Sequence, residues 1–424
     1  MHIPPLSLYA KVIVCTALSV ISHSAAAVEW QVSGFGTLGY AYESEDNLAY
    51  RRDITHPADI SDNGSFVADS NFGLQLDANF NRQWSVTTQW LLDKSVENDF
   101  NEVTELAFIR YVPNEHWGFR VGRIGVSAYS AADSRDIDFA HLWVRPPQEL
   151  YGGIVFNSLD GVGLSYFSNN SEFNWSIKLE YGHNEQMGEV PQTIEAYTAE
   201  LEDVLSASFE VEQGHWAWQL SYAHVNSLSV IQGATTQALQ SQLGQLAALN
   251  IPMISQEAAT ANELMGLDGE EIDYYQMALH YFDGLWTIKT ELFHIQAKKE
   301  SIPQGYGGYA LLGYNINSLT PYAIYSRFDP DHTYFSTQSD WSAVNPSFAL
   351  LQSGAEAGIN SVRIDQQTYS FGVRWDVTAQ IALKAQFDYV DIEDFGYGLW
   401  ASDAAIISSG RDVQVYTLNL NFVF

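Results

Sequence analysis

The densest run of chemically capable side chains is Asp133-Ser134-Arg135-Asp136-Ile137-Asp138, three acids and a base in six residues. Apolar anchors interrupt and follow it at Ile137, Phe139, Leu142 and Trp143, and Arg145-Pro146-Pro147 closes the stretch. A segment that is both charged and aromatic is easier to place folded against protein than waving in solvent. Its acids lack the spacing of a calcium loop. No G-x-S-x-G, H-E-x-x-H, P-loop or dinucleotide fingerprint stands in the context its chemistry needs. The glycines near Phe35 belong to an alternating stretch, where they cradle no phosphate. The chemistry on offer is therefore electrostatic, from fixed charges that order ions and polar solutes. No catalytic residue, metal or cofactor is expected.

A second set of charges is scattered singly, and only the local period places it. Trp30, Val32, Leu38, Tyr40 and Tyr42 alternate with Gln31, Ser33 and Thr37. Phe72, Leu74, Leu76, Ala78 and Phe80 alternate with Gly73, Gln75, Asp77 and Asn79. The same pattern recurs at Trp84–Leu92, and then along rows headed by Trp175, Leu205, Trp216, Tyr275, Trp286, Tyr369 and Ile381. Period two over about ten residues predicts strands with one apolar and one wet face. In that register Arg120, Lys178, Lys289, Arg374 and Lys384 fall on the wet face, with Asp77, Asp93, Glu180, Glu210, Glu291 and Asp388. This is where charge belongs if the other face meets lipid, since Arg or Lys at the midplane costs about 2–4 kcal/mol there. Residues 105–112 are apolar on both faces yet carry Arg110, which predicts a loop packed against their inner side.

The connections sort the strands. About sixteen are expected, counting 153–168 as one kinked strand, and short and long connections alternate between them. Short ones fall at 81–83, 114–116, 169–172, 212–214, 283–284, 317–318 and 376–378. Long ones fall near 44–69, 94–102, 125–152, 182–203, 226–271, 298–306, 328–366 and 391–411. Tight turns on one side and long loops on the other describe an all-β transmembrane antiparallel barrel with short periplasmic turns and long extracellular loops. Trp84, Trp117, Trp175, Trp216 and Trp286 each follow a short turn closely, as an aromatic girdle requires. Residues 235–249 predict a short amphipathic helix within the longest loop.

Composition agrees. Of 424 residues, 14% are aromatic and 17% charged, and the formal charge is −32. So acidic a surface makes nucleic acid a poor partner, and so aromatic a chain does not read as disordered. Beyond the N-terminus, no apolar run is long enough for a transmembrane helix. Lys11, the apolar stretch 12–21 and Ala25-Ala26-Ala27 predict a cleaved signal peptide over 1–27, with the barrel over 28–424. The sole cysteine, Cys15, falls in that leader, so no disulfide or thiolate metal site is expected.

The last strand carries a more specific signal. Tyr416, Leu418, Leu420, Phe422 and the terminal Phe424 alternate with polar or small residues, and resemble the C-terminal assembly signal of Gram-negative outer-membrane proteins. Together with a long third loop after the fifth strand and Arg120-Val121-Gly122-Arg123 leading into it, the chain resembles the sixteen-stranded Gram-negative porins. The segment from Arg145 to Gly152 is similar to one found in that group. The resemblance covers nearly all of 28–424 as architecture and little of it as motif. It implies outer-membrane localisation, recognition by the barrel assembly machinery, contact with outer-membrane lipid and lipopolysaccharide, and a homotrimer. It also implies that the third loop, 125–152, folds into the lumen and narrows it. Asp133, Asp136 and Asp138, with Arg135 among them, would then face the basic candidates Arg110, Arg120 and Arg123.

The leading expectation is a water-filled channel for passive diffusion of small hydrophilic solutes and ions. The alternatives are a porin specific for anions or sugars, a non-conducting structural or adhesive barrel, and an outer-membrane enzyme. The last needs a lipid-facing Ser/His pair that the outward rows do not offer. Acid-only stretches at 182–203 and 226–271 would give the mouth a field that concentrates cations or binds divalent ions.

Overall fold

The computed structural model describes residues 28–424 apart from 58–59, 61–62, 95–99, 155, 170–172, 191–194 and 404–405. The expected leader, 1–27, lies outside the described residues.

The alternating stretches become sixteen long strands. The first five are β1 (Glu29–Glu43), β2 (Asn71–Asn79), β3 (Trp84–Leu92), β4 (Thr104–Tyr111) and β5 (Trp117–Gly125). The next four are β6 (Ser158–Asn169), β7 (Asn174–Glu189), β8 (Ala196–Gln213) and β9 (Trp216–Ile231). Then follow β10 (Glu270–Phe282), β11 (Trp286–Ala297), β12 (Gly305–Tyr314) and β13 (Leu319–Pro330). Last come β14 (Ile364–Thr378), β15 (Ile381–Tyr397) and β16 (Arg411–Val423). Each pairs antiparallel with its sequence neighbours, and β1 pairs with β16 to close a porin-like barrel. The longest strand is β8, with 18 residues between β7 and β9 of 16 each, and the shortest is β4, with 8.

The short turns share one local device. Asn81, Asn114 and Asp283 each accept main-chain N–H bonds from the second and third residues that follow, at 2.7–3.2 Å. This side-chain turn mimic is what Asn and Asp do best, and it starts the next strand at Trp84, Trp117 and Trp286. Each tryptophan then meets a tyrosine directly across the ladder: Tyr111, Tyr166 and Tyr314, with ring centroids 4.4–4.8 Å apart. The girdle is thus built from cross-strand pairs.

The closing seam explains the last strand. Tyr416, Leu418, Leu420 and Phe424 point outward and are exposed. Phe424 exchanges both main-chain bonds with Gly34, at 3.0 Å each. A Cβ at Gly34 would lie 2.3 Å from the Phe424 ring and 2.9 Å from the Gly73 carbonyl oxygen. Glycine there leaves room for the terminal ring, which also stacks on Phe72 of β2 at 6.2 Å.

Three boundaries differ from expectation. The sixth strand starts at Ser158, so 153–157 prolong the third loop, whose neck is closed by Val126 N–H bonding the Asn157 carbonyl at 3.1 Å. The acidic stretch 182–203 is mostly wall, because β7 and β8 run on to Glu189 and Ala196. The longest loop shrinks from 226–271 to 232–269 as β9 and β10 extend. It contains α1 (Ala234–Ala247) and α2 (Ile254–Met265), and the seventh loop adds α3 (Phe348–Asn360). α1 coincides with the expected helix. Glu195 accepts from Thr235 at its first turn, a carboxylate at the positive end of the helix. No helix among the described residues is long and apolar enough to cross a membrane.

Candidate functional site

The third loop, 126–157, bonds inward-facing residues of the wall from Ser127 to Tyr151. Lys384 on β15 donates to the carbonyls of Asp138 and Trp143, and Arg374 on β14 to those of Phe139 and His141 at 2.6 and 2.8 Å. Asn419 on β16 donates to the Val144 carbonyl at 3.0 Å, and the Val144 N–H bonds Gln386 at 3.2 Å. These wall charges fall on the wet face, as their register requires, and are engaged by loop backbone.

Two buried carboxylates hold the later part of the loop. Glu149 accepts from Ser326, Gln366 and Thr368 on β13 and β14. Glu291 on β11 accepts from Tyr151 and Tyr309 and from the Ser130 N–H. Arg145 is the central pin. It donates to Asp69 at 3.0 and 2.7 Å, to Asp388 at 3.0 Å and to Thr417, and it lies 4.2 Å over the Tyr50 ring.

The first loop folds in beside the third. Arg52 donates to Asp138 at 3.0 Å and lies 3.6 Å from Asp136. Arg135 donates to Asp53 at 2.6 Å and to Asn157 at 2.8 Å. His56 bridges Asp53 at 2.8 Å and Asp93 at 3.2 Å. Burial alone would lower the His56 pKa, but the two carboxylates outweigh it and hold it up at about 10. Burial would raise Asp53, yet His56 and Arg135 hold its carboxyl well below the usual range. His141 is the opposite case. Burial and the neighbouring Lys289 push it well below its ordinary value, so the imidazole is neutral. Its Nε2–H donates to the Ser134 carbonyl at 2.9 Å, which leaves Nδ1 as the acceptor facing Lys289 at 3.5 Å.

The expected line of acids against a line of bases is not what forms. Asp136 and Asp138 are turned into the buried network with Arg52, and Arg135 is buried with Asp53. Only Asp133 reaches open lumen, largely exposed, 3.7 Å from Lys178. Arg123 lies toward the outer rim, paired with Asp160 at 2.8 Å and bonded to Asn101. Arg120 pairs with Glu180 at 3.1 Å, and Glu180 also accepts from Ser127 of the third loop. Arg110, cross-strand from Arg120, is exposed and has no ion pair among the described residues. Asp77 accepts from Thr87 and Gln75 within the half-buried inner face of β2 and β3. The first-loop run Arg51-Arg52-Asp53 was not expected to take part. Its signal in the sequence is the paired arginines within a loop otherwise rich in acids.

Burial maps the open path. Inward residues of β1 and β13–β16, such as Thr37, Ser326, Thr368, Gln386, Thr417 and Asn421, are covered by the loop. Inward residues of β2–β5, such as Gln75, Asp77, Thr87, Gln89 and Arg120, stay partly exposed. Between the loop and β7–β11 lies a polar chamber of about 250 Å³, lined by Asp133, Lys178, Glu210, Gln219, His280 and Lys289.

No protein-family model matches the chain, and no curated protein is similar to it in sequence. Solved structures do match. One is OmpF of Salmonella typhi, in complex with daunomycin, at a TM-score of 0.52 and 10% identity, covering 94% of this chain and 98% of that one. Another is a loop L8 deletion mutant of OmpT, an outer-membrane protein of Vibrio cholerae, at a TM-score of 0.50 and 11% identity, covering 93% and 99%. At such identities the likeness is one of fold.

Proposed function

We propose that this porin-like barrel is an outer-membrane channel through which small hydrophilic solutes and ions diffuse along the side of the lumen the third loop leaves open. One observation carries the reading: inner-face residues are covered on β1 and β13–β16 but remain wetted on β2–β5, with Arg110 exposed among them. A barrel plugged for purely structural ends would have no use for an exposed cation on an open inner wall that no carboxylate of the described residues pairs. Selectivity then arises from the charges along that path and from its width: Asp77, Arg110, Arg120, Asp133 and Lys178. In this reading residues 1–27 are removed on export, the strand ending at Phe424 is read by the barrel assembly machinery, and the exposed apolar belt meets outer-membrane lipid and the lipid portion of lipopolysaccharide. Three copies associate as a homotrimer, which light scattering on the purified protein would check. The protein is not an enzyme in this account.

The test is reconstitution in a planar bilayer with a salt gradient. Discrete conductance steps are expected. Arg110→Ala with Arg120→Ala should shift the reversal potential toward cations, because two inner-wall positive charges are lost while Asp77 and Asp133 remain. Folded barrels that insert and carry no current would make the protein a non-conducting barrel. A second reading, a solute-selective porin, is favoured by a lumen that changes character above the third loop.

A further inference from the structure

Above the third loop the inner wall turns apolar. A chamber of about 670 Å³ is walled by Leu201 of β8, Ala223, Val225 and Leu228 of β9, Ile272 of β10 and Ile295 of β11. Its floor includes Tyr129 of the third loop, which also borders the polar chamber below. Its roof is made by Leu239 of α1, Met265 of α2 and Leu351 of α3. That roof is a built structure. The fifth and seventh loops share an apolar core around Leu243, Ala258, Trp341 and Ile359, and Trp341 Nε1–H donates to Glu257 at 2.8 Å across it.

Such a chamber is poorly suited to hydrophilic solutes. Ordered water needs two to four polar partners, and apolar cavities of this kind stay dry or take apolar guests. Its volume lies within the range of ligand pockets, about 300–1,000 Å³, which are mostly apolar with a few placed polar groups. Two charged side chains border it, Arg51 and Glu189. Arg51 is buried, and among the described residues its guanidinium donates to main-chain carbonyls alone: Ile54 at 3.3 Å, Glu189 at 3.4 Å and Gly398 at 2.7 Å. No carboxylate lies within ion-pair distance of it among the described residues, whereas its neighbour Arg52 is ion-paired. Burial pulls its pKa down to about 10, with Tyr197, Asp53 and Glu189 holding it up, so it remains a cation at neutral pH. Buried charge without a close counter-charge attracts one strongly, because the surroundings screen it little.

We propose that the upper chamber is a binding site for a hydrophobic small molecule with a single anionic head, of the straight-chain monocarboxylate type. The hydrocarbon body lies against the apolar wall of β8–β11 and the head is drawn toward Arg51. This deepens the channel reading by naming a solute class for the selective form of it, while the binding step is measurable without any current.

The experiment uses the whole barrel in lipid nanodiscs, because detergent tails would compete for the chamber. A fluorescent naphthylamine probe is displaced by straight-chain carboxylates of graded length and by the primary alcohols of equal length. Displacement should be saturable, and affinity should rise about fourfold per methylene until the chamber is full and then stop rising. Carboxylates should bind more tightly than matched alcohols, and Arg51→Gln should remove that preference. Ala223→Trp, which fills the chamber from its inner wall, should abolish displacement. Absence of saturable displacement, equal binding of acids and alcohols by the unaltered barrel, or full binding by a folded Ala223→Trp barrel would each overturn the proposal. The ligand series on the unaltered protein decides the matter even if a variant fails to fold. Binding without conductance would overturn the channel reading alone, and conductance without binding would overturn this inference alone.

Discussion

Arg145 gives the sharpest test of how the third loop is held. Its side chain is 5% exposed, and its two carboxylate partners, Asp69 and Asp388, are 0% and 6% exposed. Arg145→Met keeps the bulk but strands two buried carboxylates. Breaking one buried pair by removing a partner costs about 3–5 kcal/mol, because the remaining charge is left uncompensated. Even the low end of that range changes the ratio of docked to released loop by roughly a hundredfold. The sole cysteine, Cys15, lies outside residues 28–424, so a single reporter thiol can be placed at will. Val144→Cys is suitable: the site is 0% exposed beside the pin, and labelling requires the loop to lift. Adding Arg145→Met should raise the labelling rate roughly a hundredfold. The decisive comparison is a background with Asp69→Asn and Asp388→Asn, where the buried guanidinium has already lost its counter-charges and the same change should cost nothing or hold the loop more firmly. If Arg145→Met leaves labelling unchanged, or acts as strongly in the neutral background, the loop is not held by this charge cluster.

The closing seam predicts that Gly34→Val, which presses on the Phe424 ring and the Gly73 carbonyl, lowers stability by about 1–3 kcal/mol, the usual penalty of overpacking. The midpoint of urea unfolding in lipid, followed by tryptophan fluorescence, measures it. Raised to about 10 from the ordinary 6.5, the His56 pKa gives a bridge that stabilises fully below pH 6.5 and fades as pH rises through about 10. His56→Gln should therefore loosen the first loop at pH 6, by about 1.5–3 kcal/mol per charge-assisted bond lost, and change little at pH 11. Protease nicking of that loop at both pH values reads this out, and equal sensitivity at both would refute it. Tyr129→Ala removes the ring that borders both chambers, and should raise single-channel conductance while costing packing of the order of 3–5 kcal/mol within the loop.

Much of the barrel is legible in the sequence because a strand's period is a local property. Asn81, Asn114 and Asp283 announce their turns through bonds to residues two and three positions on, and the following tryptophans mark the girdle without any tertiary information. The site is less legible for the opposite reason. Asp136 and Asp138 read as pore acids because their partner, Arg52, lies more than eighty residues away in a loop with no period to betray its direction. Arg374 and Lys384 fall in the wet register, but period cannot tell that a loop carbonyl waits for each of them. Orientation follows from neighbours in sequence, whereas pairing depends on which loops share the lumen.

The apolar upper lumen was hidden by two irregularities of the ladder. The pairing of β8 with β7 shifts between Leu201 and Val204, with Asp203 at φ 52°, and that of β9 with β10 shifts between Val225 and Leu228. One extra residue reverses which side chains face in. Below the shift on β8, the even positions Val204, Ser206 and Ser208 are buried inward. Above it, the odd positions Ala199 and Leu201 are buried instead, with Glu202 exposed and Glu200 half-buried. An unbroken period of two carried up from Glu210 and Ser208 would turn Glu200 and Glu202 inward, making the mouth of the lumen acidic. The bulges undo that arrangement, turning the acids out and the aliphatic residues in at the height where the third loop crosses. Two inserted residues on adjacent strands thus separate a polar lower lumen from an apolar upper one.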